Sequence, residues 1–150
     1  MKMKKKLLIT IAVIMSIFLA SAVTLALSPK KTVQTANSVG ISYEQSLKSQ
    51  KPVVLFFYTT WCSYCERFMP KYKTLSEDYE GKYDFVMVNV EDPKNRGLVE
   101  DFSISGFPSI FIIDPSINNR ISIYNGIYDD LNKVRLELDR YLRIREMIGK

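Results

Sequence analysis

The 150-residue chain has no histidine and only two cysteines. Without histidine there is no Cys-His nucleophile pair, no histidine general base and few of the usual zinc geometries. Two cysteines do not make the disulfide scaffold of a small secreted domain. A bridge between Cys62 and Cys65 would close only a tight local loop, which staples little and so points to reactivity. A metal would need two further soft ligands that the chain does not offer, so neither a metal nor a cofactor is called for. Charge of one sign is scarce once its position is considered. The net charge is +5, but four of the 21 basic residues are Lys2, Lys4, Lys5 and Lys6, so 17 remain from Ser28 onward against 16 acidic ones. The soluble part is close to neutral and makes no case for nucleic-acid binding. The nine tyrosines are scattered, without the pattern of a base-stacking surface.

What the chain does have begins with a long apolar run. Residues 1–6 form a basic flank, and Leu7 to Leu27 contain no charge. As a helix, 21 residues would span roughly 30 Å, the thickness of a hydrocarbon core. The basic side would stay in the cytoplasm and the remainder would lie outside, giving a single-pass cell-membrane protein with an extracytoplasmic C-terminal domain. Ala20-Ser21-Ala22 also fits a signal cleavage site, which would leave a secreted or periplasmic domain. A buried core helix is the third reading. Residues 28–39 are polar and form a tether, and residues 40–150 are long enough for one domain with one core.

Within that domain the pattern predicts a brief helix over Ile41–Gln50, capped by Ser42 with Leu47 inward. Strands are expected at Val53–Thr59, Phe85–Val90, Ser109–Ile113 and Arg120–Tyr124, the first continuously apolar and therefore central. Helices are expected from Glu66 to about Gly81, bent by Pro70, from Asn95 to Phe102, and from Asp129 or Asp130 to about Ile148. The first three helix–strand passages suit parallel crossovers, and the short turn at residues 114–119 suits an antiparallel hairpin. Arg135, Arg140, Arg143 and Arg145 interleave with acidic residues and read as a solvated helix face.

The segment that organises the rest is Trp61-Cys62-Ser63-Tyr64-Cys65, between the apolar strand Val53–Tyr58 and a helix. A C-x-x-C pair at a strand-to-helix junction reads as a redox dithiol. With Lys51-Pro52 before the strand, Pro70 five residues after Cys65, Gly106-Phe107-Pro108-Ser109 before a later strand, and Gly126 further on, the stretch from Ile41 to Ile148 resembles the thioredoxin superfamily. The resemblance implies an α/β, thioredoxin-like fold: a four-strand mixed sheet flanked by helices, here preceded by one N-terminal transmembrane or signal helix. It implies a cis Pro108, and an activity of thiol–disulfide exchange on disulfide-containing proteins or peptides.

Cys62 is then the attacking thiol, its thiolate favoured by the helix N-terminus, and Cys65 the resolving one. Trp61, Tyr64, Phe107 and Pro108 would form the substrate rim, with the Phe107 backbone free to pair with an extended segment. Plain packing for Trp61 and Phe107, and simple exposure for Tyr64, are the competing readings. Ser63 and Glu66 would modulate the pair, the Glu66 charge tempering the fall in the Cys62 pKa. Two positions depart from familiar thioredoxins, where a buried aspartate and a lysine assist the second cysteine: Phe56 and Met87 stand there. A water, a backbone group or Glu66 would have to move the proton instead. The Ser63-Tyr64 dipeptide leaves the redox direction open. A reductase or shuttle, recharged by a transmembrane electron-transfer partner, is the leading expectation; a dithiol oxidase and a chaperone-like accessory domain for exported clients are the alternatives.

Overall fold

The computed structural model describes residues 39–149. The basic flank, the apolar run at 7–27 and all but the last residue of the tether lie outside the described residues. Among the described residues, no helix is long and apolar enough to cross a membrane.

Helix α1 (Tyr43–Ser46) is followed by β1 (Val53–Tyr58), α2 (Ser63–Asp78) and β2 (Asp84–Asn89). A 3-10 turn (Pro93–Asn95) leads to α3 (Arg96–Asp101), β3 (Ser109–Asp114) and β4 (Asn119–Ser122); a second 3-10 turn (Asn125–Ile127) leads to α4 (Leu131–Met147). The strands form one sheet in the order β2-β1-β3-β4. β1 and β2 are parallel, whereas β1–β3 and β3–β4 are antiparallel. The sheet is therefore mixed, as expected, with β1 inside it.

The unbroken apolar run of β1 is explained by two cores. Val54 and Phe56 face α2 and α4, in a cluster with Phe68, Tyr72, Leu75, Val134 and Leu138. Val53, Leu55 and Phe57 face the other way, against Phe102 and the partly buried Tyr43, Leu98 and Val99. All five are fully buried, because alternate side chains of a central strand leave opposite faces and each face is covered by helices.

Several expectations need correction. The passage from β2 to β3 is not a parallel crossover. β2 ends at Asn89 beside Tyr58, and β3 begins at Ser109 beside Phe57, at the same end of the sheet. Six helical residues in α3 cover about 9 Å, against about 20 Å for a six-residue strand, so the helix does not carry the chain back. β3 consequently runs antiparallel. α1 is shorter than expected. Ser42 does cap it, in a reciprocal capping box with Gln45, but Ser46 is the buried residue and Leu47 is 46% exposed. Helix α2 starts three residues early, at Ser63, and runs on through Pro70 to Asp78. β4 stops at Ser122, and Gly126 lies in the following 3-10 turn, not in a strand. Asp130 caps α4, its side chain accepting from the Asn132 and Lys133 N–H groups. The arginines of α4 are not uniformly solvated: Arg135 pairs with Asp78, and Arg145 Nε donates to the buried Asp114 carboxylate at 2.7 Å.

Candidate active site

Cys62 is the N-cap of α2, with extended backbone, and Cys65 lies in the first turn. The two are joined as a disulfide, with Cα atoms 5.2 Å apart. The Cys65 N–H donates to Cys62 Sγ at 3.1 Å, so the sulfur occupies the position in which a capping side chain accepts one of the orphan N–H groups of a helix start. Cys62 retains 8% exposure while Cys65 has none. Of the two cysteines, Cys62 is the one with any exposure. The helix N-terminus also favours an anion there when the bond is reduced.

Phe107–Pro108 is a cis peptide bond. Trp61, 71% exposed, sets its ring edge-on to Phe107, with centroids 6.0 Å apart. Tyr64 is exposed as well, and the Arg67 guanidinium lies 4.4 Å above its ring, a cation–π contact within one helix turn. Tyr64, Phe107 and Pro108 line a groove of about 620 Å³ that continues past Phe68 and Tyr128 to Tyr124. A smaller hollow of about 330 Å³ between β4 and α4 lies apart from both cysteines.

Of the expected site residues, Trp61 meets Phe107 edge-on, and Tyr64, Phe107 and Pro108 line one groove. Ser63 and Glu66 sit on the exposed side of the first turn; the Glu66 N–H donates to the Cys62 carbonyl at 3.0 Å. Phe56 and Met87 are direct neighbours across β1 and β2, and Phe56 is fully buried. The layer beneath the dithiol is thus apolar at both positions. Among the described residues no three His, Cys, Asp or Glu side chains converge as a metal site would require.

Three features of the site escaped the sequence reading. Tyr128 is buried under the groove; its hydroxyl accepts from the Ile110 N–H at 3.0 Å and donates to the Ile123 carbonyl at 2.9 Å. It thereby ties β3 to the segment after β4, and burial pushes its phenol up to about 12. No motif announces it. Glu91 accepts from the Thr60 N–H at 2.6 Å, and hydrogen bonds from Thr60 hold its carboxyl below the usual range. The contact follows from the register: where two parallel strands end together, at Tyr58 and Asn89, residues two further along are neighbours. Thr59, the residue after β1, is 2% exposed and its hydroxyl has no hydrogen-bond partner.

A helix-capping dithiol beside a cis-proline loop, on a four-strand mixed sheet, is the arrangement of a thioredoxin-fold domain. The thioredoxin family profile matches residues 32–134, and the chain belongs to that family. Among relatives it is 28% identical over 106 residues to the chloroplastic thioredoxin-like protein HCF164 of Arabidopsis thaliana, covering 71% of this chain and 39% of that protein. It is 31% identical over 72 residues to the thiol:disulfide interchange protein TxlA of Synechococcus elongatus, covering 48% of this chain and 38% of TxlA. The chain spans well under half the length of these relatives. The J-Trx1 fragment of ERdj5 shares the fold, with a TM-score of 0.58 at 21% identity over 67% of this chain and 48% of that one.

Proposed function

We propose that this protein carries out thiol–disulfide exchange on protein or peptide substrates outside the cytoplasm, as a reductase or shuttle. The observation that supports it most is the asymmetry of the pair: Cys62 caps the helix and keeps 8% exposure, whereas Cys65 has none. In the reduced protein the Cys62 thiolate attacks one sulfur of a substrate disulfide. A Cys62–substrate bond forms, and the other substrate sulfur leaves as a thiolate that takes up a proton. Cys65, having lost its proton, then attacks Cys62 Sγ, releases the second substrate thiol and restores the disulfide seen here. Two electrons pass to the substrate.

Trp61, Tyr64, Phe107 and Pro108 supply the rim that holds the substrate, and the Phe107 N–H and carbonyl, outside the β3 ladder, are available to an extended segment. With Phe56 and Met87 beneath the pair, the Cys65 proton passes to water or a backbone group; Glu66, on the exposed side of the turn, modulates Cys62 by its charge. The basic flank and the apolar run at 7–27 support export with membrane anchoring, and a transmembrane electron carrier then re-reduces the pair.

The test is insulin disulfide reduction by the full chain in detergent, recharged by dithiothreitol. Turnover that disappears in Cys62→Ser supports the exchange reading. Client binding without turnover, unaffected by Cys62→Ser, would replace it with the accessory role. Equilibration with glutathione buffers decides direction: a potential near or below about −250 mV supports a reductase, and one near about −120 mV an oxidase.

A further inference from the structure

We propose that Glu91 is a positioning residue for the substrate rim: its carboxylate holds the Thr60 N–H and so fixes the turn that presents Trp61. The inference rests on the exchange reading above. The last backbone bond between the two parallel strands runs from the Val90 N–H to the Tyr58 carbonyl, at 3.0 Å. Beyond it the backbones no longer pair, and the next donor, the Thr60 N–H, is taken by the Glu91 side chain at 2.6 Å. The carboxylate therefore extends the ladder into the loop that leads to Cys62.

Glu91 is itself held for this task. Its N–H donates to Asn89 Oδ1 at 2.9 Å, and the Asn89 carbonyl accepts from Asn95 Nδ2 at 2.7 Å. The Asn95 N–H in turn donates to the Asp92 carbonyl at 2.9 Å. The braced turn fixes the Glu91 backbone, so its exposed side chain starts close to the Thr60 N–H from which it accepts. On the receiving side Thr59 is buried, whereas Thr60 and Trp61 are exposed. Trp61 is mostly exposed and its edge contact with Phe107 is a single aromatic pair. Cys62 is fixed separately, as the cap of α2. Loss of the Glu91 bond should therefore release Trp61 more than Cys62, and weaken substrate capture more than the chemical step.

Trp61 is the only tryptophan in the chain, so its fluorescence reports this loop alone. The experiment compares the full-length wild type with Glu91→Ala, Glu91→Gln and Asp92→Ala. Gln retains an acceptor for the Thr60 N–H, whereas Ala removes it. Asp92 caps the Lys94 N–H in the same turn without reaching Thr60 and serves as the control. Expected for Glu91→Ala are easier acrylamide quenching of Trp61 and a KM for insulin raised roughly tenfold with kcat within about twofold. Glu91→Gln and Asp92→Ala should stay near the wild type in both readouts. Unchanged Trp61 quenching and KM in Glu91→Ala would overturn the proposal. So would equal losses in Glu91→Gln, or the same losses in Asp92→Ala. If the wild type itself does not reduce insulin, the exchange reading fails, and Trp61 quenching still decides the role of Glu91.

Discussion

Replacing Asp114 by Asn should destabilise the fold by about 3 kcal/mol without touching the dithiol. Asp114 closes β3, and its side chain is fully buried, with a partner, Arg145, that is 17% exposed. Its Oδ2 accepts from Arg145 Nε at 2.7 Å, and its Oδ1 from the Ser116 hydroxyl at 2.7 Å and the Ser116 N–H at 3.1 Å. Arg145 also donates to the Gln50 carbonyl, so one ion pair joins the end of α4, the end of β3 and the approach to β1. Asn keeps the volume and an acceptor for Ser116 but removes the charge opposite Arg145. Breaking a buried pair by removing one partner costs about 3–5 kcal/mol, and the partial exposure of Arg145 argues for the lower end. For a domain of this size that corresponds to roughly 10–15 °C in Tm.

The pH dependence carries a sign. Burial pushes the Asp114 carboxyl up, but bonds from Ser116 and Arg145 outweigh it and hold the carboxyl below its ordinary value. A carboxyl depressed in the folded state contributes stability above its unfolded pKa, about 3.9, and loses it as pH falls through the folded pKa. The wild type should therefore lose stability on acidification below about pH 4, and Asp114→Asn should lack that share of the loss. Urea denaturation of the oxidised protein at pH 7 and pH 3 measures both. A destabilisation under about 1 kcal/mol at neutral pH would refute the reasoning, since water would then be replacing the carboxylate freely. Exchange activity should be unchanged, because Asp114 and Ser109 are at opposite ends of β3.

Other outcomes follow from the same geometry. Cys65→Ser should accumulate a mixed disulfide with substrate, visible on non-reducing gels, while Cys62→Ser should trap none. Tyr72→Phe should cost about 2 kcal/mol in urea denaturation, because the buried hydroxyl lies within 2.9 Å of the Val86 N–H and of the Val54 and Val86 carbonyls and Phe leaves them short of a partner. Gly126→Ala should change stability by under about 0.5 kcal/mol but alter the KM for peptide disulfides. An added Cβ would come within 2.4 Å of the Tyr124 ring, which is exposed and can swing aside into the groove.

The parts of the fold legible in the sequence were those governed by local rules. The unbroken apolar run Val53–Phe57 announced a strand covered on both faces, and the cores on either side of it bear that out. The last helix was expected to open at Asp129 or Asp130, and Asp130 is its cap. Cys62 and Cys65 could be singled out because a C-x-x-C pair at a strand-to-helix junction carries redox chemistry, and Trp61, Phe107 and Pro108 through the resemblance to the thioredoxin superfamily. Strand direction was less legible: β3 runs antiparallel because of where the chain re-enters the sheet, which depends on the reach of the whole 90–108 connection. Leu47 was misplaced because only one turn of helix forms, too little for a helical period to decide a face.

The sequence by itself determined the central strand, the dithiol and its position at a helix start, since each depends on residues a few positions apart. The tertiary structure alone decided which charges are structural and which loops are held. Arg145 reads as surface until Asp114 arrives from 31 residues away, and Glu91 reads as a turn residue until β1 and β2 end side by side. Such contacts join side chains through the register and direction of strands, and that information belongs to no single stretch of chain.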